Sequence, residues 1–431
     1  MLKIKKLKLE NFRGFEKLDI EFNDRMTCFV GVNGAGKSSL LRAISKSMSL
    51  LVNKASLTSK KEYSLVSDDV RKIENDVLYN FMGEAKINAT FLYNDKDYKT
   101  TNYIQVRGDT KSIAGTNADI CPFLDNSELP VLSFYVATRT IGNIESQLKD
   151  ISPISDPFYL YKNIETAVSS YEDFFSWFKR REDIENERIV LAKENRGIND
   201  YRDVQLEIVR DVISNFLGEK EGYKLRVSRQ ENTLYIRKGN AQISFENLSD
   251  GEKAVILLLG DIARKLAITT SYKFKELPTT INDIRNGDGI ILIDEIDLHL
   301  HPSWQRKICG FLKDYFPKCQ FIITTHSPQV LGELKTEEIW LLNDFNVYRP
   351  DSSYGLTSNE ILDEMMDVID DDVLLSRDGN ISKKVQELNL LVELGKIEEA
   401  KKLIFEIEKE AGNELHDVNA CKIAIEMMES E

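Results

Sequence analysis

Residues 2–12, LKIKKLKLENF, alternate apolar and charged side chains with a slip of phase at Lys5-Lys6, the pattern of a half-buried strand carrying a bulge. A second strand, Thr27 to Val32, runs into a glycine-rich turn and then a helical run from Ser38 to Leu51. Residues 85–110 and 130–138 again read as extended, and the latter (PVLSFYVAT) is apolar enough for a buried strand. From Phe158 to about Leu217 the pattern changes to long charged helices, interrupted near Gly197-Ile198-Asn199. Two short strands (YKLRVSRQ and NTLYIRKG) precede FENLSDGEKAVILLL, a polar turn opening an apolar helix. After a polar linker at 269–288 come the strand within GIILIDEIDLHLHP, a helix from Trp304, the strand of CQFIITTHS and a last strand near Glu338 to Leu342. Beyond Pro350 the chain reads as helical, with a helical hairpin around Gly395. Strands alternate with helices in the first and last thirds of residues 1–345, which predicts one α/β layer split by a helical insertion.

Composition narrows the class. The 431 residues are 42 % apolar and 30 % charged, the range of a soluble globular protein of two or three domain-sized units. The N-terminus lacks the apolar block of a signal peptide, and no apolar run approaches the roughly 20 residues that cross a bilayer. A cytoplasmic protein without a membrane partner is expected. Cys28, Cys121, Cys309, Cys319 and Cys421 show no C-x-x-C spacing and read as reduced, buried thiols rather than a disulfide frame or a zinc site. The net charge of −14 is concentrated: residues 351–431 hold 21 acidic against 8 basic residues, so the body is near neutral. Such a tail suits a solvated helical surface or a basic partner protein.

Candidate chemistry lies at the strand ends. Gly31-Val32-Asn33-Gly34-Ala35-Gly36-Lys37-Ser38 matches G-x-x-x-x-G-K-[ST] and stands between a strand and a helix, where a phosphate-binding loop must stand. Its glycines let successive N–H groups wrap a β-phosphate, Lys37 reaches the β- and γ-phosphates, and the Ser38 hydroxyl is placed to ligate Mg²⁺, with Ser39 following. Ile290 to Ile293 is a buried strand ending in Asp294-Glu295, one carboxylate to hold hydrated Mg²⁺ and one to polarise an attacking water. Ile322-Ile323-Thr324-Thr325-His326 is a second such strand, ending in an imidazole that could contact a γ-phosphate. His299 and His301 have no supporting ligand spacing and read as structural. A Ser-x-Gly turn at Ser249-Asp250-Gly251 presents N–H groups and a positive dipole end, a seat for phosphate.

Taken in order, these motifs resemble the nucleotide-binding heads of the ATP-binding-cassette class. The resemblance implies an α/β fold, a P-loop ATPase head with a mixed central sheet flanked by helices, a helical insertion and a helical C-terminal tail. It implies ATP and Mg²⁺ as ligands, Glu295 and His326 as catalytic residues, and Asp297 as a loop residue facing a second head. Leu248-Ser249-Asp250-Gly251-Glu252 matches the class signature LSGGE with Asp250 in place of its first glycine. Ser249 and Gly251 would then cap ATP held by the P-loop of a second copy. Thr138 and Arg139 mark the place of the glutamine loop. LKLENFRGF resembles the first strand of the branch that includes RecF and SMC heads, where Arg13 would approach the nucleotide. The expected boundaries are 1–150 and 221–350 for the two lobes of the head, 151–220 for the insertion and 351–431 for an acidic partner-binding or oligomerising region.

FFSWFKRREDIENE, DEIDLHLHPSWQ, TTHSPQVL and TSNEILDEMMDV…LGKIEEAKKLI together resemble the family of bacterial ATPases once labelled virulence-associated, which contains the ATPase of the Septu anti-phage system and of related retron systems. That resemblance implies a defence ATPase that pairs through its heads, holds an HNH-type nuclease and meets DNA through the complex. Two other readings stand beside it, a RecF-like repair ATPase clamping DNA and a nuclease like those of the overcoming-lysogenization-defect group, which share HPSWQ. The nuclease reading needs a further metal-binding domain, whereas the tail reads as helix, and Asp370-Asp371-Asp372 do not share a helix face.

Overall fold

The computed structural model describes residues 1–56, 64–71, 82–107, 111–122, 129–137, 160–161, 164, 171–196, 201–218, 224–238, 241–274, 280–350 and, beyond these, 384, 387–388, 390–392, 396–411, 418, 421–422 and 425. The chain divides into two compact units, Met1–Gly355 and Leu356–Glu431.

The first unit is organised by a six-stranded sheet. The apolar run Met26–Gly31 forms β3, Val131–Tyr135 forms β7, Gly289–Ile293 forms β11 and Cys319–Thr325 forms β12; every residue of all four is buried. Strands buried on both faces read as continuous apolar runs because both faces of a parallel sheet are covered. Ile339–Asn343 (β13) and the short Asn346–Tyr348 (β14) complete the sheet, in the order β14-β13-β3-β12-β11-β7. All neighbours are parallel except β13 and β14. The C-terminal ends of β3, β12 and β11 therefore stand side by side, the edge where ligands bind in such sheets.

A second, antiparallel sheet covers one face. The alternating β1 (Leu2–Phe12) pairs with β2 (Phe15–Glu21) and with β4 (Met82–Tyr93), followed by β5 (Lys96–Arg107) and β6 (Lys111–Ala118). The phase slip expected at Lys5-Lys6 is a register shift between Ile4 and Lys6 in the β1–β4 ladder. Leu7 and Leu9 of β1, Leu40 and Ile44 of helix α1 (Lys37–Ser56), and Leu292 and Ile322 of the parallel sheet share one core. Buried Gln320 ties the two sheets: its side chain accepts from the Ile4 N–H at 2.8 Å and donates to the Ile4 carbonyl at 2.9 Å. The sequence pattern anticipated a single layer; the alternation of β1 and β4 instead builds a sheet of its own, because antiparallel strands can bury one face and leave the other to water.

The other side carries the long helices α2 (Tyr171–Arg196), α3 (Val204–Leu217) and α4 (Asp250–Phe274), with the small sheet Lys224–Ser228 (β8), Thr233–Lys238 (β9) and Ala241–Ser244 (β10). Asp203 caps α3 by accepting from the Leu206 N–H. Helices α5 (Ile281–Arg285), α6 (Pro302–Tyr315) and α7 (Pro328–Leu331) fill the connections, and Thr280, His301 and Ser327 cap them. No helix among the described residues is long and apolar enough to cross a membrane. In the second unit, helix α8 (Ile397–Ala411) buries Ala400, Ile404 and Ile407 with Leu388, Val392 and Val418. Gly395 and Asp370 to Asp372 lie outside the described residues.

Candidate functional site

Gly31 closes β3, and residues 32–36 form the loop that delivers Lys37 to the first turn of α1. Asn33 and Gly34 are exposed while Ala35 is buried. Gly34 and Gly36 stand at φ 88° and 102°, backbone that only glycine adopts without strain. The Lys37 side chain turns back over its own loop and donates to the carbonyls of Gly31 and Val32 at 2.8 and 2.9 Å. Ser38 is exposed on the first turn.

Parallel pairing sets the acids beside this lysine. Asp294, 5 % exposed, follows β11; its N–H donates to the Tyr135 carbonyl on β7 and its carboxylate accepts from the Thr324 hydroxyl of β12 at 2.6 Å. The same hydroxyl accepts from the Glu295 N–H at 2.8 Å. Glu295 sits at φ 49°, a left-handed angle that costs a non-glycine residue about 1 kcal/mol or more, and such strain gathers at functional sites. Asp297 accepts from the Thr325 hydroxyl and, at 3.4 Å, from the His326 N–H. Gln305 of α6 clamps this turn by donating to the carbonyls of Asp297 and Leu300 and accepting from the Ser327 hydroxyl.

The electrostatics of the cluster are one-sided. Burial pulls the Lys37 ammonium down to about 8, although the charges of Asp294, Glu295 and Asp297 act to raise it. Burial, then the charge of Lys37, lowers His326 and so favours its neutral imidazole. The Nε2 of His326 is buried without a hydrogen-bond partner. A desolvated cation and an orphaned polar nitrogen beside carboxylates make a seat that is electrostatically incomplete.

The remaining candidates fall in two places. Arg13, at φ 52°, donates to Asp69 at 3.0 Å and to the Ser39 hydroxyl at 3.4 Å, which sets it against the P-loop helix. Ser249 serves its own helix: its hydroxyl donates to Glu252 at 2.9 Å, Glu252 accepts from the Ser249 N–H, and the hydroxyl accepts from the Glu252 N–H. This is a capping box on α4. Gly251 is buried, and a Cβ there would stand 2.6 Å from the His299 carbonyl, so glycine is required by contact within the chain itself. Asp250 points outward, its side chain 67 % exposed and 3.7 Å from the Lys253 ammonium. His301 caps α6 through the Ser303 N–H, and His299 stands at φ 64°. Ala137 ends the described part of its loop; Thr138 and Arg139 lie outside the described residues.

Sequence reading missed Thr324, Thr325, Asp69 and Gln305, which hold the chemical residues in place. The doubled threonine ahead of His326 was the available signal for the first two, since hydroxyls at the end of a buried strand need partners. Asp69 had no signal, because its tie to Arg13 spans 56 residues.

The chain is similar to known proteins over most of its length. The chain is 31 % identical to the retron Ec83 probable ATPase of Escherichia coli over 85 % of this chain and 76 % of that protein. It is 27 % identical to Septu protein PtuA of Bacillus thuringiensis over 85 % and 84 %. Among solved structures, an Smc head domain with an extended coiled coil bound to the C-terminal domain of ScpA, derived from Pyrococcus furiosus, covers 85 % of this chain and 100 % of its own. It is 19 % identical, with a TM-score of 0.44. The sequence model described as "AAA domain, putative AbiEii toxin, Type IV TA system" matches residues 26–332, from the start of β3 to beyond His326. The phosphate-loop strand, the paired acids and His326 all lie inside that match, and this chain belongs to that family of AAA-domain ATPases.

Proposed function

We propose that this chain binds and hydrolyses ATP as the nucleotide-responsive component of an anti-phage defence system, pairs head to head with a second copy, and controls a partner nuclease of the HNH type. The observation that carries the reading is the buried Lys37 ammonium, lowered to about 8 and bonded to backbone carbonyls, which a phosphate chain would relieve. The similarity to PtuA and to a retron ATPase over most of the chain supplies the defence context.

In this reading the loop amides from Asn33 to Ser38, with Ala35 keeping the loop packed, hold the β-phosphate, and Lys37 bridges to the γ-phosphate. The donor set fits a hard cation: the Ser38 hydroxyl and the Asp294 carboxylate are oxygen ligands of the kind Mg²⁺ takes. Mg²⁺, when bound, neutralises charge developing on the phosphate oxygens. Glu295 orients the attacking water and accepts its proton, and neutral His326 offers Nε2 to the γ-phosphate or that water. Arg13 and Ser39 steady the near side. Ser249, Gly251 and Asp297 face the ATP of the second copy, with Glu252 releasing the Ser249 hydroxyl on pairing. Residues 351–431, acidic and with a core of their own, bind the nuclease or a further copy, and DNA is met through that complex.

The lysines of β1 do not support direct DNA clamping, since Lys3, Lys5, Lys6 and Lys8 each sit on a carboxylate. The test is phage challenge of cells carrying the full operon. Lys37→Ala and Glu295→Gln should each abolish protection; protection surviving both excludes the ATPase role. Ser249→Arg should block pairing, read as oligomer mass and ATPase rate, while ATP still binds; survival of both readouts excludes pairing in trans.

A further inference from the structure

The turn between β13 and β14 holds a residue that the nucleotide chemistry above does not use. Asp344 and Phe345 stand at φ 44° and 60°, between the paired residues Asn343 and Asn346. Two positive angles in a two-residue hairpin loop call for Asn-Gly or Asp-Gly, because a side chain at the second position clashes with the backbone. Phenylalanine there is out of place unless its ring serves something beyond the turn.

The ring lies against the phosphate loop. Phe345 meets Phe15 edge to face, with centroids 5.3 Å apart. A Cβ on Gly36 would fall 2.7 Å from Phe15 and 2.8 Å from Phe345, and a Cβ on Gly14 would overlap the Phe345 ring. Gly36 is the glycine at φ 102° next to Lys37. Its backbone is thus walled by two rings, a fully buried one from β2 and a half-buried one from the hairpin.

We propose that Phe345 is a positioning residue for the phosphate loop: its ring holds Gly36 in the left-handed conformation that presents Lys37 to phosphate. The hairpin therefore tightens when the loop is occupied, and the chain runs on from this hairpin into the second unit, which begins at Leu356. The inference rests on the phosphate-binding reading of the loop. It adds a part that the motif itself does not contain.

Phe345→Gly removes the ring and relieves the backbone, so folding and loop positioning separate. Binding of Mg-ATP and of inorganic tripolyphosphate is measured on the full chain, with kcat at saturating ATP and hydrogen exchange over residues 343–348. Both Kd values should rise about tenfold, the equivalent of ordering one more backbone residue on binding, with kcat within about twofold. Ligand should slow exchange at the hairpin in the wild type and not in the variant. Phe345→Asn, also tolerant of positive φ, should reproduce the loss, and Phe345→Tyr should restore wild-type binding. Wild-type affinity for both ligands in the glycine and asparagine variants overturns the proposal. So does a loss confined to ATP, which would make the ring a contact of the base. Failure of the wild-type protein to bind either ligand more tightly than Lys37→Ala overturns the phosphate-binding reading, and this inference with it.

Discussion

Two of the buried charge clusters among the described residues of the first unit are built on opposite principles. Between α2, α3 and β8, Arg210 bonds Glu182, Glu185 and Glu207, Arg181 pairs with Asp203, and Glu182 also accepts from Arg229 and from the Val227 N–H. The acids there hold Arg210 above its ordinary value despite its burial. At the ends of β3, β11 and β12, burial wins over three acids and Lys37 falls to about 8. The first cluster completes itself and fixes α2 and α3; the second, in the nucleotide-binding reading, is left for a ligand to complete. Buried charge by itself therefore does not locate a binding site; incomplete compensation does.

Five measurements would break or sharpen that contrast. Arg210→Ala leaves Glu185, under 5 % exposed, without its cation and Glu182 with Arg229 alone at close range, and should cost about 3–5 kcal/mol in denaturant unfolding. Lys37→Met should do the reverse: ATP affinity falls on the order of 100-fold while stability is unchanged or higher, because an uncompensated buried charge is gone. If Lys37→Met were as destabilising as Arg210→Ala, the contrast would collapse. Thr324→Val removes the hydroxyl that holds both the Asp294 carboxylate and the Glu295 amide, and should lower kcat about tenfold with little change in the Kd for ATP.

The fourth and weaker test is pH. Lys37 binds its proton less well in the folded chain, near 8, than in the unfolded chain, near 10.5. Between those values the unfolded chain holds more protons, so this group's contribution to stability rises with pH. Phosphate binding needs the proton, so the Kd for ATP should weaken by up to about tenfold per pH unit above 8, with proton uptake seen by calorimetry in buffers of different ionisation heat. Lys37→Arg should flatten that slope. The smallest effect belongs to Asp250→Gly, which restores the class signature: with the carboxylate already in solvent beside Lys253, ATPase rate should change by no more than about twofold.

The local chemistry was legible because it is written in contiguous residues. A glycine-rich turn between a strand and a helix, and acids at the end of an apolar strand, can each be read in one window, and β1, β3, β7, β11 and β12 lie where their patterns place them. The short partners β2, β10 and β14 were not read, since a few residues of half-exposed alternation carry little signal. The capping box on Ser249 is local too, but it was overshadowed by the signature match, which directs attention to a second copy.

The sequence by itself determined which groups are available: a phosphate loop, a serine hydroxyl, two adjacent carboxylates and an imidazole, on strands too apolar to lie anywhere but inside. Only the tertiary structure decided that β12 lies between β3 and β11, so that one Thr324 hydroxyl holds both the Asp294 carboxylate and the Glu295 amide, that Asp69 holds Arg13 against Ser39, and that a hairpin ring walls Gly36. Those contacts join residues tens to hundreds of positions apart. No local pattern encodes them, because the closure of long loops and the burial of charge are settled by the packed whole.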